Sequence, residues 1–238
     1  MIIAEVGRNH LGMVEAAYVY VEQLGETEVD GISFQIREKE YYESPEKKQY
    51  VWDMQEYEYL ATAVKNKNKQ FGMALADPSL VEFFESIDTD FYKVIRNDIN
   101  NDELVSKLIA TGKKIFISTG LSSEEDISKF IEKYGHNSNI ILNHTQLSDM
   151  IHAANLSAIE TMRHKYGCKV SYGSHCWNKN VLYMALCYKP SDIMFYVKFN
   201  DYMSYPDNNH AITLNEVAKV STNLKILSNA IGNGIKEK

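Results

Sequence analysis

Charged and polar side chains follow several short apolar runs of this 238-residue chain, and their types suit the binding of a small anion. Glu5 ends the first run, where a carboxylate needs a cation, a donor or a metal. Lys93 lies within another run, so its ammonium must point into a polar cavity or toward solvent. His175 follows a third run, and an unperturbed imidazole exchanges protons near neutral pH. We predict that these three residues are catalytic.

A second set of polar side chains follows the same kind of run and could hold the substrate. Arginine binds carboxylate or phosphate through two parallel N–H bonds, and the turn at residues 118–120 offers backbone amides to an anion. The predicted substrate-binding residues at these positions are Gln35, Arg37, Asp77, Arg96, Asp98, Ser118, Thr119, Asn143 and Lys198.

Eight short apolar runs position these side chains, and segments of helical periodicity separate the runs. The runs are residues 2–5, 31–36, 71–75, 92–95, 114–118, 140–143, 168–172 and 193–199. Apolar strands separated by helices predict a parallel sheet buried under helices. Eight such units favour an α/β protein with one domain, a (β/α)8 or TIM barrel over residues 1–238, rather than a doubly wound open sheet. The candidate residues would then meet at the C-terminal ends of the strands.

Composition excludes several classes of protein. The net charge of −7 argues against nucleic-acid binding, which requires a basic face. Three cysteines without C-x-x-C spacing predict neither a disulfide framework nor a zinc knuckle. The first apolar run is too short for a signal peptide or a membrane span. We therefore predict a cytoplasmic protein that binds a small anionic substrate and no membrane.

Three segments resemble the sialic acid (N-acetylneuraminate) synthase family. Residues 2–12, IIAEVGRNHLG, resemble its opening IAEIGxNHxG. Residues 92–95 (YKVI) and 97–100 (NDIN), with Leu104, are similar to its YKIxSxDxxNxxLL segment. Residues 110–121, ATGKKIFISTGL, closely resemble its TGKPxxxSTGM, and the match continues to about residue 215.

This resemblance implies a (β/α)8 barrel that condenses phosphoenolpyruvate with an aldehyde sugar such as an N-acetylated hexosamine. Phosphate is released and a 2-keto sugar acid forms, with a divalent metal, manganese or magnesium, as cofactor. The resemblance implies that His175 is a metal ligand and adds Asp207 to the substrate-binding residues. The residues that it assigns to the metal or the substrates are Glu5, Gln35, Lys93, Asp98, Ser118, His175 and Asp207.

The sequence departs from the family at the predicted site. Lys198 stands where the family has its second metal-binding histidine, while Arg8, Arg37 and Arg96 add positive charge. These changes predict an altered anion site in which Lys198 replaces the metal electrostatically. The remaining histidines outside the motifs, His210 among them, are predicted to be surface or helix residues. The family's C-terminal antifreeze-like domain is expected to be absent, so a homodimer would form through the barrel.

Three functions remain open at this point. The first is a divergent synthase of the sialic acid type. The second is an aldolase or lyase on the same barrel, with Lys93 or Lys198 forming a Schiff base. The third is a non-catalytic family member that serves as a binding or partner subunit.

Overall fold

The computed structural model describes residues 1–95, 99–232 and 234–236, and its strands form a closed parallel barrel. Each of the first eight strands pairs with the next in chain order, and the first pairs with the eighth from Ile2↔Ile193 to Glu5↔Tyr196. Helices separate the first eight strands from one another. The predicted (β/α)8 fold is confirmed.

The elements follow one another as strand and helix along the chain. The strands are β1 (Ile2–Gly7), β2 (Gly31–Ile36), β3 (Gln70–Leu75), β4 (Phe91–Val94), β5 (Lys114–Ser118), β6 (Ile140–Thr145), β7 (Lys169–Ser174), β8 (Ile193–Lys198) and β9 (Ile212–Thr213). The helices are α1 (Val14–Gly25), α2 (Pro45–Lys48), α3 (Met54–Asn66), α4 (Val81–Ser86), α5 (Asp102–Ala110), α6 (Glu124–Tyr134), α7 (Ser157–Tyr166), α8 (Asn180–Ala185) and α9 (Leu214–Ala230). Single 3₁₀ turns lie at Lys39–Glu43, Pro78–Leu80, Ile151–Ala154 and Leu186–Tyr188. Within the described residues, no helix combines the length and apolarity that a membrane span needs.

Local capping explains where several helices begin. The Asn101 side chain accepts a hydrogen bond from the Leu104 amide at the start of α5. At the start of α6, Ser123 and Asp126 each bond the other's backbone amide in a capping box. These polar side chains accept hydrogen bonds from amides of the first turn that have no partner within the helix. They therefore define the residue at which each helix begins.

The barrel interior changes from apolar to polar along the strands. Its lower layer is one buried cluster made of Ile3, Phe91, Phe116, Ile141 and Met194. Side chains alternate between the two faces of a strand, so the residue two positions further on points to the same interior. Those residues are Glu5, Lys93, Ser118, Asn143 and Tyr196, which are all buried. The alternation that packs the apolar layer therefore also builds a polar layer above it.

Glycines make room for the lower layer. A Cβ atom at Gly72 would lie only 2.1 Å from the Phe91 ring, and one at Gly31 would lie 2.9 Å from it. The Phe91 ring therefore occupies the barrel interior beside β2 and β3, where Gly31 and Gly72 have no side chains. The polar layer rests on this packed floor and lies toward the C-terminal ends of the strands.

Candidate active site

A buried ion pair lies at the centre of the polar layer. The Lys93 ammonium donates to Glu5 Oε1 at 2.5 Å, and each side chain is at most 5% exposed. The two residues come from β4 and β1, and the Lys93 ammonium also lies 5.7 Å from the centre of the Tyr196 ring. Each charge is shielded from water and is compensated by the other. Removal of either group would leave an uncompensated charge in the barrel interior, which is strongly destabilising.

A cavity of about 220 Å³ opens directly above this pair. Five residues predicted from the sequence line it or reach it: Gln35, Lys93, Ser118, His175 and Asp207. They come from five different places in the chain, and the barrel brings them to one mouth. Arg8, Ile95, Leu147 and Tyr196 complete the lining. The cavity combines cationic, amide, hydroxyl, imidazole and carboxylate groups within a space suited to a small acid.

Asn143 lies beside the cavity wall with an unused donor. Its side-chain oxygen accepts from Ser171 Oγ at 2.9 Å, while its Nδ2 is buried with no hydrogen-bond partner among the described residues. A Cβ at Gly173 would lie 2.7 Å from that nitrogen, so glycine at this position leaves space for the amide. Asn143 also stands opposite Ser118 in the β5–β6 register. A buried amide donor next to a serine hydroxyl can bind an oxyanion.

Two histidine rings face one another on the β7–β8 side of the mouth. The ring centres of His175 and His210 are 4.4 Å apart, and Tyr196 contacts both rings edge-on. Burial, together with the positive charges of Lys93 and Lys198, lowers the pKa of His210 to about 4. Its Nε2 is buried without a hydrogen-bond partner in the described residues, and the nearest carboxylate oxygen, Asp207 Oδ1, is 3.7 Å away. The prediction that His210 is a surface or helix residue is wrong.

The long loop between β8 and β9, residues 199–211, carries both His210 and Asp207. The Lys198 ammonium donates to the Asn208 carbonyl at 2.8 Å and pairs with Asp201 at 2.8 Å. Asn9 donates to the Val197 carbonyl and accepts from the Asp207 amide. These bonds hold the loop over the mouth, so the Lys198 ammonium faces the loop and a neighbouring cavity of about 350 Å³ rather than the Lys93 cavity.

Among the described residues, Thr119, Asp77 and Arg37 are predicted substrate-binding residues that do not line the Lys93 cavity. Thr119 Oγ1 donates to the Asn143 carbonyl, and the Asp77 carboxylate accepts from the Ser79 amide and hydroxyl at the start of a 3₁₀ turn. Arg37 binds Glu38 through two N–H bonds. Arg96 and Asp98 lie outside the described residues. The substrate-binding roles of all these residues stay predictions.

Comparison with known proteins places this barrel in a family. Residues 19–236 match the sequence pattern of the NeuB family. The chain belongs to the NeuB family. The synthase resemblance inferred from the three segments is thereby confirmed.

Relatives of this NeuB-family chain are distant in sequence and close in fold. It is 22% identical to N,N'-diacetyllegionaminic acid synthase of Campylobacter jejuni, with 100% of this chain and 79% of the relative aligned. It is also 22% identical to pseudaminic acid synthase of the same species, over 98% and 75% of the two proteins. The N-acetylneuraminic acid synthetase of Leptospira borgpetersenii, solved with citrate, superposes with a TM-score of 0.90 at 24% identity, over 100% of this chain and 86% of that one.

The metal implied by the NeuB family would need a matching set of ligands in the described part of the chain. Among the described residues, no three His, Cys, Asp or Glu side chains are grouped so that they could hold an ion. The Glu5 carboxylate is paired with Lys93, and Lys198 is an ammonium at the end of β8. Transition metals prefer several imidazole or carboxylate donors together, so this donor set does not fit.

Sequence reasoning missed two members of this NeuB-family site. Tyr196 could have been found, because it stands two positions after an apolar interior residue of β8, on the same face. His210 carries no such signal, since it lies in a loop whose path depends on contacts with Asn9 and Lys198. A histidine in an irregular segment gives no periodicity from which burial could be inferred.

Proposed function

We propose that this protein condenses phosphoenolpyruvate, or a similar enol acid, with an aldehyde sugar to give a 2-keto sugar acid. One observation carries the proposal: five residues predicted from the sequence converge on one cavity above the buried Glu5–Lys93 pair. Membership of the NeuB family and the synthase activities of the two Campylobacter relatives support it.

The acid would bind at the floor and along the β2–β6 wall of the cavity. Lys93 supplies a positive charge, and Gln35, Ser118 and the unused Asn143 amide supply neutral donors. Donors fixed by strands lose little freedom on binding and hold the enol carbon toward the mouth. Lys93 is already paired with Glu5. The bound acid would therefore interact with the Lys93 ammonium together with the Glu5 carboxylate and would not displace that carboxylate.

The reaction then requires protons at two places. The enol carbon adds to the aldehyde carbon, and the aldehyde oxygen takes up a proton to become a hydroxyl. Water adds to the carbon that carries the phosphate, loses its protons, and inorganic phosphate leaves. His175 and His210 lie at the mouth where the aldehyde and water must enter. A neutral imidazole can accept a proton from that water, which is the role we assign to this pair.

The Schiff-base alternative is disfavoured by the surroundings of Lys93. A Schiff base needs a free amine as nucleophile, whereas the Lys93 nitrogen forms an ion pair with Glu5 Oε1 at 2.5 Å and would have to leave that buried pair to attack a carbonyl. Borohydride treatment in the presence of pyruvate should therefore leave the mass of the protein unchanged. A trapped adduct on Lys93 would favour the aldolase instead.

The direct test is the formation of product from both substrates. The protein is incubated with phosphoenolpyruvate and N-acetylmannosamine, with or without a 6-phosphate, and release of inorganic phosphate is measured together with the new keto acid. We expect phosphate release that depends on the sugar, and loss of at least 100-fold in the Lys93→Met variant. Lys165→Met is the matched control, because Lys165 forms an exposed pair with Glu124 and does not line the Lys93 cavity. Absence of sugar-dependent release in the wild type would overturn the proposal.

A further inference from the structure

Three cationic side chains surround one aromatic ring at the edge of the cavity. The guanidinium carbons of Arg8 and Arg37 lie 5.0 and 4.8 Å from the centre of the Tyr41 ring, and the Lys47 ammonium lies 4.5 Å from it. Arg8 also donates to the Tyr41 hydroxyl and lies 5.7 Å from the Tyr50 ring. We call these three side chains the cationic cluster. Like charges gathered around one ring repel each other unless an anion or the electron-rich ring compensates them.

The charges of the cationic cluster are only partly balanced. Within the described residues, one carboxylate forms an ion pair with it, that of Glu38, which binds Arg37 at 2.7 Å. Arg37 is 12% exposed, and its Nη1 is buried with no hydrogen-bond partner among those residues. A buried N–H donor without a partner costs free energy. The cluster therefore keeps a positive excess and at least one unused donor.

The cationic cluster is continuous with the candidate active site. Arg8 lines the same cavity as Lys93, Ser118 and His175. Arg37 follows Gln35 by two positions at the end of β2, so it leaves the strand on the same face. Tyr41 is held nearby, because the 3₁₀ turn Lys39–Glu43 begins immediately after this strand and the Arg37 amide donates to the Tyr42 hydroxyl. A substrate that fills the cavity would reach the cluster at its β1–β2 edge.

We propose that the cationic cluster is a subsite for a phosphate monoester carried by the sugar, so that the aldehyde substrate is a sugar phosphate. Counted over the described residues, three positive charges against one carboxylate leave an excess of two, which a phosphate dianion balances better than a carboxylate does. Arginine forks suit phosphate oxygens, and Arg37 has a donor to spare. The inference rests on the proposed function, because it places the sugar beside the enol acid in one cavity.

The test compares ligands that differ only in the phosphate. Calorimetric titrations of the full chain use N-acetylmannosamine 6-phosphate, N-acetylmannosamine, inorganic phosphate and phosphoenolpyruvate. We expect the sugar phosphate to bind at least tenfold more tightly than either the sugar or inorganic phosphate alone. Arg37→Gln and Lys47→Gln should each weaken sugar phosphate binding by about tenfold, since each removes a charge-assisted bond. Neither change should alter the affinity for phosphoenolpyruvate more than twofold.

Matched variants separate the subsite from a structural clamp. Lys48→Gln removes the same charge from the next position of the same short helix, where the side chain is exposed, and it should leave all affinities unchanged. Arg37→Lys keeps the charge without the fork and should retain part of the affinity; a melting curve checks folding of every variant. Equal binding of the sugar with and without phosphate, or an equal loss for phosphoenolpyruvate in Arg37→Gln, would overturn the subsite.

The same experiments distinguish this inference from the proposed function. The sugar phosphate could bind more tightly than the sugar while no sugar-dependent consumption of phosphoenolpyruvate is seen. That result would contradict the proposed function and support the subsite. Consumption of phosphoenolpyruvate with the unphosphorylated sugar, together with binding that ignores the phosphate, would remove the subsite and leave the function.

Discussion

On the β1–β2 side of the barrel mouth the charged groups are arginines and a lysine stacked on Tyr41, whereas on the β7–β8 side two imidazoles face a carboxylate. Within the described residues, the first side carries an excess of positive charge, where we propose that a phosphate binds. On the second side, burial and two nearby ammonium groups hold His210 neutral, so it offers a proton acceptor. In the proposed function, one side of the mouth therefore binds charge and the other side exchanges protons.

The Glu5–Lys93 pair lies between the two sides, and its disruption should have the largest effect. Glu5→Gln leaves a buried ammonium without its partner, which typically costs about 3–5 kcal/mol of unfolding free energy. Urea unfolding should show this loss, while the double variant Glu5→Gln with Lys93→Met should recover a large part of it. A double variant as unstable as Glu5→Gln alone would show that the loss does not come from the unpaired Lys93 ammonium. Lys165→Met again serves as the control.

Removal of metal tests whether the imidazole side needs an ion to work. A ligand at about 100 times its Kd stabilises a protein by about 2.7 kcal/mol. We expect phosphoenolpyruvate to raise the melting temperature equally in EDTA and in manganese, because no metal ligand set is grouped in the described residues. Stabilisation that appears only with manganese would show that His175 and His210 close around an ion when the acid binds.

Much of the fold could be predicted because its signals are periodic. The eight apolar runs all correspond to strands, and residues 31–36 and 114–118 match β2 and β5 without any shift. Residues 50–67 lie between two apolar runs and have helical periodicity, yet α3 begins only at Met54. The preceding segment, with Trp52 buried and its indole nitrogen bonded to the Gly12 carbonyl, is shaped by tertiary contacts that no period reveals.

The site was predictable where residues follow strands and not where loops return to the mouth. Glu5, Lys93 and Ser118 occupy interior positions of strands, so the fold alone brings them together. Asp207 entered only through resemblance, and His210 not at all, because the β8–β9 loop is fixed by hydrogen bonds from Asn9 and Lys198. Such contacts join residues far apart in the chain and leave no local pattern.

The pH dependence of stability should separate the two sides by their buried histidines. Burial, with the Arg8 charge nearby, lowers the pKa of His10 to about 3, and burial chiefly lowers the pKa of His210 to about 4. In the unfolded chain both histidines bind a proton below about pH 6.5, whereas in the folded protein they stay neutral until a lower pH. Between these values the unfolded state binds more protons than the folded state. Stability should therefore fall as the pH decreases from about 6.5 toward 4, by roughly 2 kcal/mol for each histidine at pH 5.

Glutamine variants assign this slope to its two sources. His10→Gln on the β1 side and His210→Gln on the β8–β9 loop should each flatten the decrease between pH 7 and 5, measured as urea unfolding free energy. NMR titration of the His210 ring in Lys198→Met should also show a raised pKa, since the Lys198 charge lowers it. A slope that neither variant changes would mean that acid sensitivity arises outside the mouth.

Asp77 gives the smallest expected effect and tests the boundary of the binding surface. Its carboxylate accepts from the Ser79 amide at 2.8 Å and hydroxyl at 2.6 Å, so it caps the 3₁₀ turn Pro78–Leu80. Asp77→Asn keeps an acceptor and should leave stability within error, whereas Asp77→Ala should cost about 1 kcal/mol. Thermal shifts with phosphoenolpyruvate should be the same in both variants and the wild type. A smaller thermal shift with phosphoenolpyruvate in Asp77→Asn than in the wild type would show that the Asp77 carboxylate contributes to ligand binding, as the sequence predicts. The binding surface would then include the end of β3 as well as the two sides compared above.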